Sequence, residues 1–326
     1  MRILIAIHSP FAMWRIPQGH VECLRRDFPH HEWRHARDEE EAQRLIPDVE
    51  VAFSSQVTRA QLASARRLQW IHSPTAGVGS MLFTEMKESG VVITNSRGMA
   101  ADTMAEHVLA VTLALFRRIP EAVRSQTTRI WAQDAISALG SRTIAGATVL
   151  VIGLGAIGSA VASRMARLGA YVIGIRRRVS APPADGVAEV VPPDRLADVL
   201  PAADVVVVAA PHTRETRGLI GPAELRAMKH DAILVNVSRG RLVDEDALAT
   251  ALVEQWIGGA ALDVFVREPL PPDSPLWDLS GVLITPHTSG FRPDHWDAAT
   301  RIFAENLRRF DSGQPLLNVV DKQAGY

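Results

Sequence analysis

A single cysteine, Cys23, occurs in 326 residues. No intrachain disulfide can form, a cysteine-built zinc site is not expected, and a reducing cytoplasm is the simplest home. No segment approaches the roughly 18 uninterrupted apolar residues that a membrane-spanning helix needs. Val205–Ala210 reads instead as a buried parallel strand. The opening MRILIAIHSP has one early arginine and an apolar run too short for a signal-peptide core, so it reads as a first strand. Neither sign of charge is in excess: Lys plus Arg is 35, Asp plus Glu is 36, and the formal net charge is −1. A dedicated nucleic-acid binder would carry a basic surplus, so neither nucleic acid nor membrane is an expected partner. Repeats, low-complexity segments and a disordered tail are also lacking.

What is present is the length and apolar content for about two domains, at 47% apolar and 22% charged residues. Short apolar runs at Ile3–Ile7, Val49–Phe53, Leu68–Ile71 and Val91–Thr94 alternate with helix-like stretches, the pattern of a small α/β domain. Residues 100–118 predict a long helix, with Met104, Val108, Val111 and Leu115 at helical spacing and a length suited to bridging two domains. Periodicity is weak over 119–146. Apolar runs then recur at Val187–Val191, Val205–Ala210, Ile233–Val237, Gly259–Val264 and Val282–Thr285, as in a doubly wound parallel sheet. The stretch from His295 to about Phe310 is again helical.

Residues 147–158, ATVLVIGLGAIG, run a buried strand into a glycine-rich turn. Gly153 allows the tight turn, Gly155 lets backbone approach a pyrophosphate, and Gly158 lets the following helix pack on the strand. The phosphates would sit at that helix's N-terminus, beside Ala156 and Ile157. Residues 159–168 place Val161, Met165 and Leu168 on one face, and a second strand, Tyr171–Ile175, follows. At its tip, where an acidic side chain would hold an adenosine ribose, stand Arg176, Arg177 and Arg178. Guanidinium groups favour a 2′-phosphate, so NADP(H) is the expected cofactor. The alternative is a solvated basic loop.

Three later segments, ILVNVSRGRL, ALDVFVREP and LITPHTSG, each place a polar residue just past an apolar strand. Ligands of open α/β sheets bind beyond the carboxyl ends of strands, so Arg239, Glu268 and His287 are expected to meet in one crevice. Arg239 offers a fork of donors to a carboxylate, and His287 is a candidate acid or base. A hydrogen bond from the imidazole to Glu268 would favour the protonated ring. Taken singly, each also has an ordinary reading as a surface ion pair or loop residue.

From about Gln69 to Pro293 the sequence resembles the D-isomer-specific 2-hydroxyacid dehydrogenases. The resemblance rests on AGVG at 76–79, AEHVLA at 105–110, GLGAIG, HTRETRGLI at 212–220, NVSRGRLVDEDAL at 236–248, LDVFVREPLP at 262–271 and TPHTSG at 285–290. It implies a Rossmann cofactor domain, 100–289, inserted into a smaller flavodoxin-like α/β substrate domain, 1–99 and 290–326. It also implies that Arg239 binds the substrate carboxylate and that His287, paired with Glu268, donates a proton. Ala76, Gly77 and Val78, in the loop ending at Gly79, would contribute to substrate binding. Asp263 would orient the nicotinamide carboxamide, while Thr103, Pro211, Thr216, Val237, Ser238, Arg239 and His287 would line the cofactor site. No metal is implied.

Arg176 stands where NAD-dependent members have Asp, as in the NADPH-preferring glyoxylate/hydroxypyruvate reductases, although use of NAD(H) stays open. The expected reaction is hydride transfer between NADP(H) and C2 of a small 2-oxo acid, by a homodimer. The alternatives are a nucleotide-sensing scaffold like the corepressors of this fold, an NAD-dependent dehydrogenase of another 2-hydroxy acid, and a formate-type dehydrogenase.

Overall fold

Valine- and isoleucine-rich runs too short for helices become strands of two separate parallel sheets, seen in a computed structural model that describes residues 1–180, 182 and 184–326. Two units result: Met1–Met99 with Arg292–Tyr326, and Ala100–Phe291.

In the first unit, β1 (Arg2–Ala6), β2 (Glu32–His35), β3 (Val51–Ser54), β4 (Trp70–Ser73) and β5 (Val92–Asn95) form a sheet in the order β2-β1-β3-β4-β5. Every neighbouring pair is parallel. Both faces are buried, which is why β1 and β3 read as continuous apolar runs rather than as alternation. On one face the amphipathic helix His295–Asp311 supplies Phe303, stacked on Phe53 at 4.4 Å and on Trp70 at 5.4 Å between ring centroids. β2 was not expected from the sequence. Its EWRH is polar because it is an edge strand that is nowhere fully buried.

The second unit holds β6 (Thr148–Ile152), β7 (Tyr171–Ile175), β8 (Glu189–Val191), β9 (Val205–Val208), β10 (Ile233–Asn236), β11 (Gly259–Leu262) and β12 (Val282–Ile284). Their order is β12-β11-β10-β9-β6-β7-β8, again all parallel. Chain direction across the sheet reverses between β6 and β9, so the glycine turn after β6 lies at the switch point where such sheets take ligands.

The long helix is Ala101–Phe116; it lies wholly within this unit and packs on the helix Ala156–Arg167 through Ala105, Val108 and Val111. Val161 and Met165 of the second helix are buried as expected. Leu168 is not, because the helix has ended at Arg167 and leaves Leu168 46% exposed. The aperiodic stretch after Phe116 contains two further helices, Ile119–Thr128 and Gln133–Ala138, neither of which buries a residue. Gly290 and Phe291 group with this unit, Phe291 N–H donating to the Thr288 carbonyl.

Candidate active site

Backbone geometry builds the nucleotide end of the second unit. Gly153 has φ of +99°, and a Cβ there would meet the Ala210 backbone after β9 at 2.6 Å. A Cβ on Gly158 would stand 1.8 Å from the Gly153 carbonyl oxygen, so only glycine lets the helix start this close to the turn. Gly155 differs: its Cβ would meet nothing within 4 Å. It faces open space at the N-terminus of a 12-residue helix with no side-chain cap, beside exposed Ala156 and partly buried Ile157. Exposed N–H groups in a cradle that a side chain would fill suit a pyrophosphate.

At the tip of β7, Arg176 is partly buried, and its Nη2 donates to the Pro182 carbonyl at 2.9 Å. Arg177 and Arg178 are exposed. Across the loop after β9, the Arg177 and Arg214 charges help hold Glu215 below its ordinary pKa, behind the larger effect of a hydrogen bond from Thr213. Thr216 closes that loop, its hydroxyl donating to the Pro211 carbonyl at 2.6 Å and accepting from the Thr213 N–H at 2.8 Å. Thr103 sits in the first turn of the Ala101 helix, its hydroxyl bonded to the Ala100 carbonyl.

After β10 a buried amide, Asn236, sets the turn: Oδ1 accepts from Ser238 N–H at 3.1 Å and Nδ2 donates to the Arg239 carbonyl at 3.1 Å. Val237 is buried, and the Ser238 hydroxyl reaches the Ala210 carbonyl. Gly240 then allows close approach to the β11 loop, for a Cβ there would lie 2.0 Å from the Phe265 carbonyl carbon. Arg239 is thereby held beside the segment that carries Glu268. Solvent reaches its side chain, yet desolvation by crowding protein lowers the guanidinium pKa against the raising influence of Glu268. Arginine remains a cation regardless.

Glu268 and His287 meet directly: Nδ1 of the imidazole lies 2.7 Å from Oε2, while Oε1 accepts from Phe265 N–H at 3.0 Å. Partial burial raises the Glu268 pKa, but the hydrogen bonds from His287 and Phe265, with the charges of His287 and Arg239, outweigh it and hold the carboxyl below its ordinary value. An ionised Glu268 requires Nδ1 to carry a proton. Nε2 has no hydrogen bond to protein among the described residues.

The His287 backbone is left-handed, with φ of +54°. Asp263, only 1% exposed, holds it there. One carboxylate oxygen accepts from the Thr285 hydroxyl at 2.6 Å and Thr288 N–H at 2.8 Å, the other from Ser289 N–H at 3.0 Å, while the Asp263 carbonyl accepts from His287 N–H. His107, from the Ala101 helix, completes the chain at 3.2 Å from the Thr285 hydroxyl, and burial lowers its pKa against Asp263. Asp263, expected from the resemblance to orient the nicotinamide carboxamide, also fastens the His287 loop.

Residues 109–289 match the profile of the family described as "D-isomer specific 2-hydroxyacid dehydrogenase, NAD binding domain". The chain belongs to the D-isomer specific 2-hydroxyacid dehydrogenases. Among this family's members it is 36% identical to a glyoxylate reductase of Korarchaeum cryptofilum over 264 residues, covering 80% of this chain and 78% of that protein. It is 34% identical to a D-3-phosphoglycerate dehydrogenase of Mycobacterium tuberculosis over 296 residues, 90% of this chain but only 55% of that protein. The crystal structure of a D-isomer specific 2-hydroxyacid dehydrogenase from Xanthobacter autotrophicus Py2, in complex with NADPH and MES, superposes with a TM-score of 0.84 at 32% identity, over 100% of this chain and 99% of that one. The protein is accordingly an oxidoreductase with a nicotinamide-nucleotide domain, and none of its helices, among the described residues, is long and apolar enough to cross a membrane.

In the first unit, the loop after β4 places Ala76, Gly77 and Gly79 at the surface, while Val78 is buried at 2% exposure. The Thr75, Ala76 and Gly77 carbonyls accept from Ser96 N–H, Asn95 Nδ2 at 2.7 Å and the Thr75 hydroxyl. The N–H groups of Gly77 and Val78 donate to no protein acceptor among the described residues. Nothing in the sequence alone marks Asn95, Ser96, Asn236 or His107 as parts of the site; the role of Asn236 lies in the bonds made by both ends of its amide.

Proposed function

We propose that the protein reduces a small 2-oxo acid to the D-2-hydroxy acid, with Arg239, Glu268 and His287 as its catalytic residues and NADP(H) as its preferred cofactor. The observation that carries this is the 2.7 Å pair of Glu268 and His287, which leaves Nε2 free to hold a proton. When bound, the reduced nicotinamide supplies a hydride to C2 of the oxo acid. Arg239 binds the substrate carboxylate and stabilises the negative charge that grows on the carbonyl oxygen. His287 gives that oxygen the proton from Nε2, and Glu268 stabilises the imidazolium beforehand. The exposed N–H of Gly77, which has no protein acceptor among the described residues, suits a carboxylate.

Glyoxylate and hydroxypyruvate are the favoured substrates, in view of the 36% identity to a glyoxylate reductase. The arginines after β7, and the NADPH in the Xanthobacter relative, support NADP(H). Arg176 and Arg177, side by side at the tip of β7, are the candidate partners of the 2′-phosphate. A homodimer is supported by the exposed apolar surface of residues 119–139, where Ile119, Val123, Ile130, Trp131 and Leu139 are each at least 49% exposed. The exposed thiol of Cys23 suits a reducing cytoplasm.

The test is a panel of 2-oxo acids, each with NADPH and NADH, run beside 3-phosphoglycerate with NAD⁺. Reduction of glyoxylate or hydroxypyruvate is expected, with NADPH preferred and the preference lowered about tenfold or more in Arg177→Asp. Turnover of 3-phosphoglycerate alone would transfer the assignment to the reaction named for the mycobacterial relative.

A further inference from the structure

In the first unit, the helix His295–Asp311 ends on the connection that leads into β2, and two adjacent imidazoles meet its last carboxylate. His30 Nε2 lies 3.4 Å and His31 Nε2 3.0 Å from Oδ2 of Asp311. Among the described residues this is a group whose nitrogen and oxygen donors all lie within 4.8 Å of one another. We propose that His30, His31 and Asp311 bind one divalent transition-metal ion of the zinc, nickel or copper class, outside the oxidoreductase chemistry.

The spacing is the first reason. Metal–nitrogen and metal–oxygen bonds of about 2.0–2.1 Å at a tetrahedral angle separate neighbouring donors by about 3.3 Å, close to the distances seen. Both imidazoles converge on the same carboxylate oxygen, with the ring centroids 4.1 Å apart.

Orientation is the second. The His31 side chain is 4% exposed, stacked against Phe28 with an interplanar angle of 17° and set edge-on to Trp33. Its Nδ1 is buried without a hydrogen-bond partner, so packing aims the ring and Nε2 is its one polar contact.

Access is the third. His30 is 63% exposed and Asp311 27%, so an ion can enter and keep solvent in its remaining positions. Imidazole nitrogens select this metal class over magnesium or calcium, which take oxygen donors. The positive amino terminus and Arg308, whose guanidinium lies 5.4 Å from the Phe28 ring, oppose a cation and limit its affinity. Once bound, the ion pins the end of the helix to the connection before β2.

The test uses untagged full-length protein carrying Cys23→Ser, which removes the exposed thiol as a competitor, after treatment with EDTA. Co²⁺ is titrated and followed by visible absorption, and Zn²⁺ by calorimetry. One ion per chain is expected, with His30→Ala and Asp311→Asn each weakening binding about tenfold or more and leaving kcat/KM for the oxo acid unchanged. Both variants change solvent-accessible side chains, so the fold should survive; His31→Ala is avoided because it empties a buried position. No saturable binding at about 1 mM ion, or binding that either variant leaves intact, overturns the proposal.

Discussion

The two units repeat one architecture, a parallel sheet with loops after the carboxyl ends of its strands, but they hold those loops by different means. In the second unit the backbone does it: Gly153, Gly158 and Gly240 bring chain segments closer than any side chain allows, and a buried carboxylate and amide fasten what remains. In the first unit buried polar side chains do it. His72, Ser73, Thr94, Asn95 and Ser96 are all at or below 2% exposure beneath the loop after β4. A glycine cradle tolerates almost no substitution, whereas a hydrogen-bonded scaffold degrades in steps of one bond. The second unit should therefore fail abruptly and the first gradually.

The largest effect expected is on the proposed proton donor. His287→Ala should lower kcat about 10²- to 10⁴-fold while the cofactor dissociation constant stays nearly unchanged. Single-turnover kinetics and cofactor fluorescence titration separate the two. A loss shared equally between them would mean that His287 serves the loop rather than the proton.

Next comes a pair that divides close packing from ligand space. Gly158→Ala forces a Cβ onto the Gly153 carbonyl and should destabilise the second unit by about 3 kcal/mol, read by urea denaturation. Gly155→Ala meets no protein atom, so stability should hold while cofactor affinity falls about tenfold. If both lose stability alike, the distinction between the two glycines is wrong.

The difference between the units also governs how much was legible in the sequence. Apolar runs locate eleven of the twelve strands among the described residues, since a strand buried on both faces announces itself by composition; the polar edge strand Glu32–His35 does not. Helices at 119–138 escaped because they bury nothing and so have no period to show. Leu168 was placed on a buried face because periodicity does not say where a helix stops. For the site, Arg239, Glu268 and His287 could be named because each follows a strand, and the structure brings Glu268 and His287 together. The supports were not legible: that Asp263 fastens the His287 loop, and that Asn95 holds Ala76, depends on contacts between segments distant in sequence.

A pH titration probes the scaffold of the first unit. His72 is fully buried, and desolvation pushes its pKa down to about 3. Its neutral ring sits 2.7 Å from the Thr94 hydroxyl, which also accepts from Trp70 Nε1. The unfolded chain takes up this proton below its ordinary pKa of about 6.5 and the folded chain does not until about 3. Stability is therefore complete above pH 6.5 and falls with acidity, by up to about 1.4 kcal/mol per pH unit from this residue alone. Urea denaturation between pH 7 and 5, followed by tryptophan fluorescence, reads the slope; His72→Gln should flatten it.

The smallest effect tests whether that scaffold serves the ligand at all. Asn95 donates to the Ala76 carbonyl at 2.7 Å and accepts from Arg97 N–H at 3.2 Å, so it fixes the carbonyl side of the turn whose exposed Gly77 N–H has no protein acceptor among the described residues. Removing one such hydrogen bond is worth about 0.5–1.5 kcal/mol. If the loop receives the substrate carboxylate, Asn95→Ala should raise KM for the oxo acid about 2- to 12-fold, leave kcat nearly unchanged and spare cofactor affinity. A hydrogen bond that only stabilised the first unit would lower the urea midpoint without moving KM. The stepwise loss expected of this unit then appears in a Michaelis constant, at a residue that the sequence motifs do not mark.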